Sequence, residues 1–180
     1  MRMVEYADTP MYVLNHRRDV LVWNDLAAAL LCDFADVESE NRNLAWLVFI
    51  DNRFRNQYRD WDETARSVVS ALRYAEGNNP GDRELQRLIT RLTAASSVFG
   101  QLRERREVAQ KCGGFKTLRH PVIGEITLAH QSFGVTGHGD LEMVTYAAHD
   151  NESRSALGLL GSWAATRTVA EAGRYETDRR

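Results

Sequence analysis

The sequence predicts an α+β fold in which a five-stranded antiparallel sheet, two strands from the N-terminal part and three from the C-terminal part, carries helices packed on one face. Three observations support this. Runs rich in β-branched and aromatic residues stand near both ends of the chain. Between them, apolar residues recur at the helical period for about seventy residues. Turn-forming clusters of glycine, asparagine and proline separate the segments.

The first pair of strands is Met11 to Leu14 and Val20 to Trp23, joined by the polar run Asn15 to Asp19, which reads as a hairpin. Asn24 and Asp25 offer an N-cap for a helix over Leu26 to Leu31. Asn43 can cap Leu44 to Ile50, which is apolar on nearly every side and therefore reads as a core helix. Asp60 and Glu63 have the spacing of a capping box, ahead of a stripe of Ala65, Val68, Val69 and Leu72 that Gly77 is expected to end. After the loop at 78–82, Asp82 can cap a second amphipathic helix with Leu85, Leu88, Ile89 and Leu92 on one face.

Gly113 and Gly114 end the helical region. Three alternating segments come next, Phe115 to Leu118, Gly124 to Ala129 and Leu141 to Ala147, with turns at Pro121 to Gly124 and Thr136 to Asp140. Asn151 or Ser153 is the expected cap of a last helix through Trp163. Residues 1–9 then form a lead, 10–163 one domain, and 164–180 a frayed tail of mixed charge. A sheet with helices on one face makes a cup with an apolar interior, a common setting for a ligand pocket.

Bulk properties narrow the function. The chain of 180 residues is 43% apolar and 27% charged, with a net charge of −2, so it folds as a globular domain without an overall basic field for nucleic acid. Cys32 and Cys112 form no C-x-x-C pair, no secretory leader is visible and no apolar run approaches the length of a membrane span, which together point to the cytoplasm. His120, His130, His138 and His149 lack the short spacings of a metal site, and with His120 before Pro121 at one turn and His138 between glycines at another, solvated or backbone-bonded turn histidines are the expected reading. No nucleophile elbow, phosphate loop or dinucleotide fingerprint occurs, so no enzyme activity and no cofactor is expected. Asp60, Asp62 and Glu63 serve a helix start, and the run Gln101 to Lys111 reads as a solvated, salt-bridged face. Trp23, Trp46, Trp61 and Trp163 read as core anchors.

A set of short elements in order resembles the MmyB-like ligand-binding domain, the sensor half of bacterial regulators of the XRE helix-turn-helix type. They are Tyr12 to Asn15 with Asp19 to Asn24, Arg42 to Leu44 with Phe49 and Asp51, Trp61 with Ala65, Ala71 to Arg73, Phe99 to Leu102, and Leu118 to Leu128 with its His120-Pro121 and Gly124. The resemblance runs from about residue 10 to about residue 162. It implies a PAS-like fold, a small apolar or fatty-acid-like effector held between sheet and helices, and transcription as output. DNA would be read only by a helix-turn-helix domain, which is not expected within this chain because only nine or so residues precede the first strand. The chain departs from the family at Arg103 and Arg106, where Trp and His are usual, and at Asn151 to Arg154.

The expected pocket residues are Leu14 and Trp23 from the hairpin, Leu47 and Val48 from the core helix, Val68 and Leu72 from the next, and Leu128 and Tyr146 from the late strands. The alternative function is a protein-interaction or homodimerisation module without a small ligand, motivated by the Leu85, Leu88, Ile89, Leu92 stripe if that face is exposed.

Overall fold

The computed structural model describes residue 4, residues 7–105 and residues 113–177. Expectations that rest on Arg106, Lys111 and Cys112 lie outside the described residues.

Strands β1 (Met11–Asn15) and β2 (Val20–Trp23) form the expected antiparallel hairpin. Its turn is organised by Asn15. The side-chain oxygen accepts from the Arg17 and Asp19 amides at 3.0 and 2.9 Å, and the side-chain nitrogen donates to Asp19 at 2.8 Å. These bonds hold Arg18 at φ 72°, a left-handed conformation unusual for a residue with a side chain.

Two buried asparagines join the hairpin to the first helices. Asn24 Oδ1 accepts from Met11 and Ala27, while its amide donates to the carbonyls of Ala7 and Thr9. It thereby caps α1 (Asp25–Leu30) and fixes the lead to β1. Asn43 Oδ1 caps α2 (Leu44–Ile50), and its amide reaches the Arg17 carbonyl and Asp19 Oδ1, both at 2.8 Å. Between α1 and α2 lie two short 3-10 turns, Phe34–Asp36 and Ser39–Asn41.

Helices α3 (Asn52–Gln57), α4 (Trp61–Asn78), α5 (Arg83–Ala95) and α6 (Ser97–Glu104) complete the helical region. Asp82 caps α5 as expected. The Asp60 side chain makes no capping bond, so the Asp60 half of the expected capping box is not formed. Gly77 does not end α4 either. The helix continues to Asn78, and Asn79 closes it by donating from both its backbone and its side chain to the Ala75 carbonyl, just before Pro80. Leu85, Leu88, Ile89 and Leu92 are all buried in the core, so this stripe offers no free docking face and the motive for the interaction-module reading is gone.

Strands β3 (Gly113–His120), β4 (Gly124–Val135) and β5 (His138–Ala148) are longer than their alternating cores suggest. Gly113 and Gly114 belong to β3, paired with Gln131 and His130. A Cβ at Gly113 would lie 2.9 Å from the His130 carbonyl oxygen, so the close approach of β4 requires glycine there. The β4–β5 turn shrinks to Thr136 and Gly137, with Gly137 at φ 82°. Helix α7 (Asn151–Thr177) extends past Trp163. Its first turn is capped by neither Asn151 nor Ser153. Asp150 accepts from the Ser153 amide at 2.7 Å, and the Ser153 hydroxyl accepts from Thr127 in β4.

The five strands form one antiparallel sheet in the order β2-β1-β5-β4-β3, and the described residues include seven α-helices. This is the PAS-like α+β architecture. Side chains alternate across the strands: Ile126, Leu128, Val144 and Tyr146 are buried toward the helices, whereas Phe115 and Phe133 are exposed on the opposite face.

Candidate functional site

Between the inner face of the sheet and α4 lies a cleft of about 700 Å³. Its middle is apolar, built from Leu14 on β1, Leu44 at the start of α2, Val68 and Ala71 on α4, and Val144 on β5. The strand register aligns its two ends. Tyr12 sits opposite Val144 and His130 opposite Tyr146, while Leu14 and Gly134 both sit opposite Glu142. One end is therefore tyrosine-lined and the other lies at the hairpin turn.

At the first end, the Tyr12 and Tyr146 hydroxyls are 3.3 Å apart and Tyr146 is also hydrogen-bonded to Tyr58. Burial pushes all three phenols above their ordinary pKa, well above it for Tyr12 and Tyr58, so they are neutral at physiological pH. Lys116 on β3 projects to the same place, donating to Thr64 Oγ1 at 2.8 Å with its ammonium 5.6 Å from the Tyr58 ring. His130 donates from Nδ1 to the Gly114 carbonyl at 2.9 Å. Burial, reinforced by Lys116, lowers its pKa and favours the neutral ring, which leaves Nε2 as an acceptor. One cation, neutral phenols and a neutral imidazole can bind and orient a polar group. The phenols are too basic when ionised to serve as bases near neutrality.

At the other end the cleft is lined by the turn residues His16 and Arg18, by Asn78 of α4 and its C-cap Asn79, and by Glu142 from β5. Arg18 pairs with Glu142 at 2.6 Å. Asp82 Oδ2 takes both His16 Nε2 at 2.6 Å and Arg17 Nε at 2.7 Å.

Of the eight residues expected to line a pocket, Leu14, Val68 and Tyr146 are on the cleft wall. Leu47, Val48, Leu72 and Leu128 are in the core around it, and Trp23 packs on Phe34 at 5.4 Å with the Arg42 guanidinium 5.1 Å from its ring. Sequence reasoning did not place Tyr12, Tyr58, Lys116, His130 or Arg18 in the pocket. A signal was present for two of them: Lys116 and His130 lie two residues from the inward-facing Leu118 and Leu128, so the strand period turns them inward.

Among the described residues no group of three or more His, Cys, Asp or Glu could hold a metal ion. His120, the buried last residue of β3, donates from Nε2 to the Ala29 carbonyl while Nδ1 accepts from the Val122 amide in the following turn. His138 begins β5 and is exposed, and the His149 ring packs on Phe115 at 4.5 Å. No helix among the described residues is long and apolar enough to cross a membrane.

Residues 2–160 match the family model described as MmyB-like transcription regulator ligand binding domain. No curated protein matches the chain.

Proposed function

The chain belongs to the MmyB-like transcription regulator ligand-binding domain family, and from that premise we propose that it is a cytoplasmic effector sensor whose ligand is a small apolar, fatty-acid-like molecule held in the cleft. The observation that carries this reading is the composition of the cleft: an apolar middle with a cation and neutral hydroxyl donors gathered at one end. An aliphatic chain would lie against Leu14, Val68 and Val144. Its carboxylate would lie beside Lys116 and the phenols of Tyr12 and Tyr146, where a charge-assisted hydrogen bond is stronger than in water. The five other residues expected from sequence, Trp23, Leu47, Val48, Leu72 and Leu128, would act by holding that wall in place.

The output is regulatory. Occupation of the cleft would shift α4, which forms one wall, and α4 is tied to α6 through the Arg103–Glu76 ion pair at 2.7 Å. DNA would be read by a helix-turn-helix domain acting with this one. Thermal unfolding of delipidated protein against saturated fatty acids of increasing chain length tests the binding step. A rise in Tm that saturates and depends on chain length is expected. Unchanged Tm with every acid would refute the fatty-acid form of the proposal.

A further inference from the structure

The hairpin-turn end of the cleft is polar in a way that a simple fatty acid does not use. His16 Nδ1 and Arg18 Nε are both buried without a hydrogen-bond partner among the described residues, although Nε2 of the same histidine and Nη1 of the same arginine are each engaged in a short contact. Both residues line the cleft. An unsatisfied polar atom buried in a protein is costly, and in a ligand cleft its natural partner is a ligand atom.

Charge decides what kind of atom. At this end Arg17 is paired with Asp82 and Arg18 with Glu142, and Asp140 adds a further carboxylate to the rim. A second anion would find both of these cations already paired and would face three carboxylates. A neutral oxygen avoids that repulsion. Arg18 Nε is obligatorily a donor, and His16, donating from Nε2 to Asp82, presents Nδ1 as an acceptor in its neutral form. A hydroxyl can meet either need, accepting from Arg18 Nε or donating to His16 Nδ1.

The length of the cleft separates this end from the phenol end. Thr64 and Asn78 both line it, and fourteen residues of α4 span about 21 Å. We infer that the cleft recognises a difunctional chain, with an acid group at the Lys116 end and a neutral hydroxyl at the Arg18 end, an ω-hydroxy fatty acid rather than a plain one. This rests on the ligand reading proposed above.

Isothermal titration calorimetry of the delipidated chain tests it, with dodecanoic, tetradecanoic and hexadecanoic acids each compared with its ω-hydroxy counterpart. The hydroxy acid whose length matches the cleft is expected to bind about tenfold more tightly than the plain acid. Arg18→Lys keeps a cation for Glu142 but removes Nε, and is expected to erase that advantage. Equal affinities for every pair in the wild-type protein overturn the inference without touching the fatty-acid reading, and so does an advantage that survives in Arg18→Lys. Absence of binding by all six compounds overturns both. The wild-type comparison decides the matter even if the variant fails to fold.

Discussion

Arg17 and Asp82 are 65 residues apart in the chain, yet Arg17 Nε lies 2.7 Å from Asp82 Oδ2, which also accepts from His16. The other oxygen of Asp82 caps α5 through the amides of Glu84 and Leu85. One carboxylate thus closes the hairpin turn onto the α4–α5 loop at the rim of the cleft.

This carboxylate should make stability pH-dependent. Burial favours its protonation, but the hydrogen bonds from Arg17 and His16 outweigh burial and hold its pKa well below the ordinary 3.8. A depressed pKa contributes stability that is complete above the unfolded value and lost as the pH falls through the folded one. Urea midpoints should therefore drop below about pH 4 in the wild type and change less in Asp82→Asn. At pH 7 that variant should be less stable by about 1–3 kcal/mol. A wild-type stability that is flat down to pH 2 would contradict the assignment.

The three cleft phenols predict the opposite limb. Their raised pKa values supply stability that is present below about pH 10 and lost as the pH climbs toward the folded-state values. An alkaline ultraviolet titration run alongside an unfolding probe checks this. Tyr12, Tyr58 and Tyr146 should ionise only with unfolding. Phe substitutions at these three positions should remove a matching share of the late phase.

Asn24 is 3% exposed and makes four hydrogen bonds. Replacing it with Ala leaves buried donors and acceptors without partners and uncaps α1, an expected loss of about 3 kcal/mol in chemical denaturation. A loss under about 0.5 kcal/mol would show that the lead and hairpin do not depend on it.

Gly113→Ala would force a Cβ against the His130 carbonyl oxygen at 2.9 Å. The β3–β4 ladder must then separate locally, at a cost of about 1–3 kcal/mol. Gly134, whose Cβ would meet nothing within 4 Å, is the control, and its Ala variant should cost clearly less.

Legibility followed the range of the interactions. Asn24, Asn43 and Asp82 could be recognised as caps because the bonds they make as caps close within three residues of each. What else they hold could not be read in the same way, since Asn43 reaches back to Arg17 and Asp82 to His16 through the fold. Asp150 was passed over for Asn151 and Ser153 because all three are competent caps and only the position of β4 commits Ser153 to Thr127. The hairpin and the late strands announced their order by composition, but Gly113 and Gly114 look like a breaker in sequence and become strand through pairing with β4.

The site was partly legible for a related reason. Leu14, Val68 and Tyr146 face the cleft while Leu72 and Leu128 face other side chains, and an apolar residue has the same periodic signature in either case. Tyr12 and Tyr146 come together across the β1–β5 ladder from positions 134 apart. No local pattern encodes that meeting.

The composition of the cleft calls for a small amphipathic effector. Native mass spectrometry of the protein purified from its own host, followed by denaturing extraction and mass analysis of the released compound, tests it most directly. The predicted result is a mass increment on the folded protein that disappears on denaturation and corresponds to an aliphatic acid, with Lys116→Met lowering its occupancy. A folded protein that carries no such increment, and that also takes up no aliphatic acid when one is supplied, would contradict it.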